Sequence, residues 1–387
     1  MKTIYKIKTY ICTYVILVMT FMVLLCCSYY IPINKENMRE SAELLYQEGV
    51  FPNYKENIKK INGQDNFTDS LMLNIISTMN ENEDVLSAIM RMDYLQEQDG
   101  EFNSVDDLYD IYTINASNHI FEKVSYARYW HGYVVYLKPL MLIFNFHQLR
   151  IFMFVCIYSL LIICLYCIAQ KIGIKYTIAF LAGFIIIDIN NICYSVQYFN
   201  VFFVTLCMLI YISNLSDKKM FERFEIINFV FGGIVSFLDL LTTPIITYGL
   251  CSILFFMYWG ICQNNNVRTL IAKIIKAGVM WGSGYAIIWA TKWVVASIAT
   301  RQNIILDALN QAEIRTSVVP DGFSLIDWIK YDYSSNWRFL FSNDMKIEIV
   351  LVGVVISIVM LLKFHILPCK RNLFVLFFLL CVPYIWY

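Results

Sequence analysis

Two charged side chains stand inside long apolar runs of the sequence. Asp239 is the single charged residue in the run 229–260, within the segment SFLDLLTTP. Lys292 stands in the segment GYAIIWATKWVVASIAT, between Trp289 and Trp293. A charge inside a membrane is costly and is retained where it binds a ligand, an ion or another charge. We therefore expect both residues to line a polar site.

There are three alternatives for the position of the Lys292 ammonium. It pairs with the Asp239 carboxylate, or it holds an anionic lipid phosphate, which lysine binds well as a compact charge. The third alternative is that it extends to the membrane surface beside the two tryptophans. Asp188 ends another apolar run and is a further candidate for binding substrate at the same level.

A third group of polar residues occurs in YARYWHGYVVYLKPLMLIFNFHQLR, residues 126–150. It carries Arg128, His131 and Lys138, and Pro139 breaks its short apolar core. The segment predicts a re-entrant or interfacial helix rather than a membrane span. Arginine, histidine and aromatic rings at a membrane surface suit a pocket for a hydroxylated or phosphorylated ligand, or an aromatic anchor at the interface.

Asp69 stands at the start of TDSLMLNIISTMN, whose spacing places Leu71, Ile75 and Met79 on one face of a helix. A carboxylate there is an N-cap of that helix or a general base that takes the proton of an acceptor hydroxyl. Asp69 is therefore the candidate catalytic residue. The candidate substrate-binding residues are Arg128, His131, Lys138, Asp188, Asp239 and Lys292.

Membrane helices must position these side chains. The chain has 387 residues, 59% of them hydrophobic, and a mean hydropathy of +0.57. Several runs reach the roughly 20 apolar residues that cross a bilayer. The sequence thus predicts an all-α, polytopic helical bundle of about nine spans. They are placed near residues 10–31, 149–169, 176–190, 194–214, 226–241, 244–262, 277–298, 347–362 and 373–387.

Basic residues alternate with these spans. With the N-terminus in the cytoplasm, the cytoplasmic segments hold 14 of the 30 Lys and Arg residues and three acidic residues, as the positive-inside rule requires. We expect a multi-pass protein of the cell membrane, whose final apolar run, CVPYIWY, predicts that the chain continues past residue 387. The predicted regions are an N-terminal stub and first span (1–31), a large outer loop with juxtamembrane helices (32–148), a bundle (149–298), a second outer loop (299–346) and C-terminal spans (347–387).

Composition argues against several other classes of protein. The 12 cysteines all lie in or beside apolar runs, where buried cysteine acts as a small hydrophobe, so neither a disulfide framework nor a metal site is expected. A net charge of zero implies no nucleic-acid partner. The sequence contains no P-loop, Gly-rich nucleotide fingerprint, GxSxG or HExxH motif.

The order of these features resembles the C-type glycosyltransferase (GT-C) fold, whose members include protein mannosyltransferases and lipid A aminoarabinose transferases. The resemblance covers residues 1–215, including a short third span followed by a longer fourth. Asp69 resembles the family's loop acid, His131-Gly132 with Lys138-Pro139 its proline element, and Leu149-Arg150 the pair that opens its second span. The phrases RYWHGY, DLLTTP and GYAIIWATKW also resemble uncharacterised multi-span proteins of Gram-positive bacteria.

The resemblance implies a glycosyltransferase that moves a sugar from a polyprenyl-phosphate donor to an envelope glycan or lipid acceptor on the outer face. It implies no cofactor besides that lipid-linked donor, and its partners are membrane lipids, donor and acceptor. Such chemistry needs a cation beside the leaving phosphate, a role for Lys292. The alternatives are a non-catalytic assembly partner for envelope polymers and a transporter or flippase, whose usual internal repeats are not found.

Overall fold

The computed structural model describes residues 2–50, 65–79, 84–98, 102–113, 120–187, 189–263, 265–317 and 330. Most of these residues are helical, which confirms the expected all-α class. The helices are α1 (Lys2–Tyr29), α2 (Lys35–Glu48), α3 (Asn66–Thr78), α4 (Val85–Arg91), α5 (Ser104–Thr113), α6 (Val134–Ile143), α7 (Phe146–Ile172), α8 (Ile174–Ile186), α9 (Ile189–Ile192), α10 (Val196–Asn214), α11 (Asp217–Leu238), α12 (Ile246–Phe256), α13 (Val267–Thr300) and α14 (Ile304–Ser317). A single π-helical turn, Met257–Cys262, continues α12.

Several apolar helices indicate a membrane protein. Within the described ranges, four segments are long and apolar enough to cross a bilayer: Tyr5–Tyr29, Phe146–Ile172, Val196–Asn214 and Val267–Thr300. Shorter apolar helices occupy Val134–Ile143, Ile174–Ile185 and Ile246–Cys262. Each of the first seven predicted spans therefore falls on a helix, although not every helix has the length of a span. The predicted spans at 347–362 and 373–387 lie outside the described residues.

The helices between α1 and α7 form a compact layer, here called the cap layer, on one end of the bundle. It contains α2 to α6 and a pair of antiparallel strands, β1 (Tyr94–Glu97) and β2 (Phe121–Val124). The strands were not expected, because their four-residue lengths leave too little pattern to detect. Asn74 of α3 fixes β1 from the side, since its side chain both accepts from the Leu95 N–H (2.9 Å) and donates to the Leu95 carbonyl (2.8 Å).

Helix α3 is buried on nearly all sides. Leu71, Ile75 and Met79 are buried as the spacing predicted, but so are Met72 and Ile76 on other faces. A helix lying on a membrane surface exposes its polar face. Because α3 has almost no exposed face, it packs between the rest of the cap layer and the bundle.

Two contacts show which helix ends lie together in the bundle. At the cap-layer end, Lys138 of α6 donates to the carbonyl of Tyr29, the last residue of α1 (3.4 Å). At the opposite end, Lys171 of α7 donates to the Leu215 carbonyl directly after α10 (2.9 Å). Helices α7 and α10 therefore end on the same side of the bundle.

Helices α11 and α13 approach so closely that their backbones touch. A Cβ atom on Gly232 would collide with the Trp281 carbonyl, and one on Gly284 would collide with the Phe229 carbonyl. Lipid supplies no hydrophobic drive for helix association, so membrane helices rely on such close packing between small residues. This crossing holds the end of α11, and with it Asp239, at a fixed position beside α13.

Candidate functional site

The Asp69 carboxylate caps a helix, but not the helix that contains it. Its Oδ1 atom accepts hydrogen bonds from the backbone N–H of Val196 (3.0 Å) and the hydroxyl of Ser195 (3.2 Å). Val196 is the first residue of α10, and the Ser195 side chain does not cap that helix itself. The first N–H groups of a helix lack intrahelical partners. Asp69 therefore stabilises the start of α10 from the cap layer.

The prediction that Asp69 is the N-cap of its own helix is wrong. Helix α3 begins at Asn66, four residues earlier than an N-cap at Asp69 predicts, and its N-cap is Asp65. The Asp65 carboxylate accepts from the Thr68 N–H (3.0 Å) and the Thr68 hydroxyl (2.7 Å). Asp69 consequently lies inside the helix, free to reach a neighbouring element.

Burial shapes the chemistry of Asp69. The side chain is fully buried in the cap layer, and its desolvation raises the carboxyl pKa from 3.8 to about 7, against the lowering effect of Arg150 and of the Val196 N–H. Its Oδ2 atom has no hydrogen-bond partner among the described residues. A carboxylate with a pKa near neutrality and one uncommitted oxygen has the properties of a general base.

Arg150 contacts three segments around Asp69. Its guanidinium pairs with Glu48 of α2 (2.9 Å), donates to the Asn66 side chain of α3 (2.8 Å) and donates to the Tyr194 carbonyl before α10 (3.1 Å). The Arg150 charge acts on Asp69 by lowering its pKa, but the two side chains form no hydrogen bond with each other among the described residues. Asn66 belongs to a sequon, but it is fully buried in this contact.

A chain of hydrogen bonds extends from Asp65 to Asp239. Gln197 of α10 donates to Asp65 (2.6 Å) and accepts from the Thr242 hydroxyl (3.0 Å), while the Thr242 N–H donates to Asp239 Oδ1 (3.1 Å). Asp69 and Arg150 lie beside this chain, bonded to the neighbouring residues Val196 and Asn66. The residues Asp65, Asp69, Arg150, Gln197, Thr242 and Asp239 are together called the polar network below. Asp65 was detectable from its Asp-x-x-Thr capping pattern, whereas Gln197 had no sequence signal beyond its polarity.

Asp239 lies in the break between two helices, as predicted. Helix α11 ends at Leu238, α12 begins at Ile246, and Asp239 is the C-cap residue of α11. Its Oδ1 atom accepts from the Thr242 N–H and so stabilises the turn, and its buried Oδ2 atom has no hydrogen-bond partner among the residues the structure describes. Asp239 is therefore a turn residue that also belongs to the polar network.

Lys292 does not pair with Asp239. Its ammonium donates to the carbonyls of Met90 (2.9 Å) and Ile89 (3.3 Å), in the last turn of α4, and lies 5.7 Å from the Trp130 ring centroid. Such terminal carbonyls lack intrahelical partners and carry the negative end of the helix dipole. The sequence placed Lys292 near Asp239 in depth but gave no information on the packing of α4 against α13.

The Lys138 ammonium also donates to a carbonyl at the end of a helix, that of Tyr29 at the C-terminus of α1. Arg128 instead pairs with Asp307 of α14 (2.9 Å). The Arg128 carbonyl accepts from the indole N–H groups of Trp289 (2.9 Å) and Trp293 (3.0 Å). Both tryptophans that flank Lys292 therefore hold the Arg128 backbone.

His131 is buried and neutral. Its Nε2 atom lies 2.8 Å from the Tyr126 carbonyl, which only accepts, so Nε2 carries the proton and Nδ1 accepts from the Tyr133 hydroxyl at 2.9 Å. Burial, together with the charges of Lys292 and Arg128, lowers the His131 pKa to about 3. A histidine held in this way does not titrate near neutral pH.

The predicted site residues thus fall into separate groups. Asp69 and Asp239 share the polar network, Arg128, His131 and Lys292 lie around the α4–α13 contact, and Lys138 lies at the end of α1. Asp188 lies outside the described residues. Among the residues that are described, no three His, Cys, Asp or Glu side chains form a cluster suited to a metal ion.

Comparison with known proteins finds no matching family model, no matching curated protein and no matching solved structure.

Proposed function

We propose that the chain is a multi-pass membrane glycosyltransferase of GT-C-like layout, with its N-terminus in the cytoplasm. It transfers a sugar from a polyprenyl-phosphate donor to an envelope glycan or lipid acceptor on the outer face. The observation that carries this proposal is the junction of α3, α7 and α10. There the buried Asp69 carboxylate, whose Oδ2 atom has no hydrogen-bond partner among the described residues, lies near the Arg150 guanidinium, whose charge lowers its pKa.

The roles follow from the chemistry of glycosyl transfer. The Asp69 Oδ2 atom takes the proton of the acceptor hydroxyl as its oxygen bonds to the anomeric carbon. The bond between that carbon and the phosphate oxygen breaks, and polyprenyl phosphate leaves with the bonding electrons. Arg150, whose charge lowers the pKa of Asp69, takes the place first assigned to Lys292 as the cation that stabilises the developing negative charge. Its ion pair with Glu48 must break for the guanidinium to reach the phosphate. Access to Oδ2 requires α3 to move away from the first turn of α10.

A second candidate function is a non-catalytic assembly partner for envelope polymers. The observation that favours it is that three predicted site residues make contacts that stabilise the ends of helices. Asp69 caps the start of α10, while Lys138 and Lys292 donate to the ends of α1 and α4. Buried charges with such partners are sufficient to explain their presence without any chemistry.

Turnover distinguishes the two functions. The full chain in lipid nanodiscs is incubated with a panel of polyprenyl-phosphate monosaccharides and a mixture of envelope glycolipid acceptors, and released polyprenyl phosphate is measured. We expect release by the wild type, a loss of at least about 100-fold in Asp69→Asn, and no loss in Asp106→Asn. Asp106 is a matched control because it is an exposed acid of the cap layer. No release from any donor supports the assembly function instead.

A further inference from the structure

Helix α14 exposes apolar side chains on the side that faces away from the protein. Ile305, Leu306 and Leu309 are 41%, 52% and 56% exposed, whereas Ile304 and Ala308 are buried. Helical spacing places Ile305 and Leu309 on one face, with Leu306 at its edge. A helix in water turns its polar residues outward. The outward face of α14 has the opposite character.

Of the two acidic side chains of α14, Asp307 lies against the protein, whereas Glu313 is exposed. Asp307 pairs with Arg128 of the cap layer at 2.9 Å. The N–H of Ile304 donates to the Ser297 hydroxyl at 3.1 Å, which fixes the first turn of α14 against the last turn of α13. Ile298, in that last turn, is 75% exposed. The exposed apolar side chains at the end of the candidate span α13 are therefore followed, after the exposed polar turn 301–303, by those of α14.

The length of α13 sets the depth of this junction. Lys276 is the last of three basic residues near the start of α13, and the helix continues from there to Thr300. At a rise of 1.5 Å per residue this distance is about 36 Å. A bilayer has a hydrocarbon core of about 30 Å and a total thickness of roughly 40–45 Å. With Lys276 at one interface, α13 ends among the lipid headgroups of the other leaflet.

We propose that α14 lies in this headgroup region, with Ile305, Leu306 and Leu309 inserted among the phospholipid acyl chains. The Arg128–Asp307 pair holds the opposite face of the helix against the cap layer. The binding partner is thus the lipid surface itself, and the site is distinct from the polar network. An interfacial helix of this kind buries its apolar face about 5–10 Å into the boundary between headgroups and acyl chains.

Depth-dependent quenching tests the proposal. A small fluorescent amino acid is incorporated genetically at position 309 or at the control position 310 of the full chain. Asn310 is a suitable control because it is exposed and follows Leu309 on a polar edge of the same helix. Each protein is placed in nanodiscs with phospholipids that carry a doxyl quencher near the headgroup end of the acyl chain, and aqueous iodide is used in parallel.

We expect lipid quenching at position 309 to exceed that at position 310 by about three-fold or more, with the order reversed for iodide. Equal quenching by iodide at both positions, without lipid quenching, contradicts the proposal because α14 then faces water. Protection of position 309 from both quenchers also contradicts it, since protein then covers the apolar face.

Discussion

Replacing Asp69 separates its two roles, helix cap and buried acid. Asparagine keeps an oxygen that accepts from the Val196 N–H and the Ser195 hydroxyl, and Asn caps helices about as well as Asp. Alanine removes both acceptors and leaves two buried donors unsatisfied. Loss of the cap bond to the Val196 N–H costs about 1 kcal/mol, and the unsatisfied buried Ser195 hydroxyl costs about 1–3 kcal/mol. We expect Asp69→Ala to be less stable than the wild type by about 2–4 kcal/mol, and Asp69→Asn to remain close to it at pH 5.

The pH dependence of stability provides the second half of this prediction. Because burial raises the Asp69 pKa from 3.8 to about 7, the folded protein binds this proton more tightly than the unfolded chain does. The resulting stabilisation is complete below pH ~4 and is lost as the pH rises through ~7. A shift of this size corresponds to about 4 kcal/mol as an upper limit. Asp69→Asn has no such proton to lose.

Thermal unfolding in nanodiscs, followed by tryptophan fluorescence at a fixed scan rate, measures both effects. From pH 5 to pH 8, the Tm of Asp69→Asn relative to the wild type is expected to rise by several °C. The Tm of Asp69→Ala at pH 5 is expected to fall below both. Parallel Tm curves for the wild type and Asp69→Asn would refute the assignment of a raised pKa to Asp69. Equal stability of Asp69→Ala and Asp69→Asn would refute its role as the cap of α10.

Three further predictions concern the packing and topology. Gly232→Ala is expected to lower the Tm markedly, because its Cβ meets the Trp281 carbonyl, whereas Gly282→Ala, which meets nothing within 4 Å, is expected to leave the Tm unchanged or raise it. Lys292→Met leaves the two carbonyls of α4 unpaired and is expected to lower the free energy of unfolding by about 1–3 kcal/mol. This loss is expected to add to that of Asp239→Asn, because the two side chains share no hydrogen-bond partner. A double variant that is more stable than the less stable of the two single variants would show that they are coupled. A cysteine placed at position 311 is expected to react with an impermeant thiol reagent from outside intact cells, and one at position 265 is not; the reverse labelling pattern would invert the predicted orientation.

The helical framework could be predicted from the sequence, because in lipid each spanning segment must form its own backbone hydrogen bonds. Long apolar runs therefore located α1, α7, α10 and α13, and Pro244 located the break after α11. The partners of individual side chains were not accessible. The contact between Asp69 and Val196 joins residues 127 positions apart, and helical periodicity carries no information about which helix ends meet. For the same reason Lys292 was placed at the right end of its helix but given the wrong partner.

The pH dependence of sugar transfer tests the central claim, that Asp69 is the general base, most directly. The rate of polyprenyl phosphate release by the full chain in nanodiscs is measured from pH 5 to pH 9 under conditions where the protein stays folded. We expect a wild-type rate that rises with pH and reaches half its maximum near pH 7, where Asp69 loses its proton. We expect this dependence and nearly all of the rate to be absent in Asp69→Asn. An Asp69→Asn variant with the wild-type rate and the wild-type pH profile would show that Asp69 is not the general base.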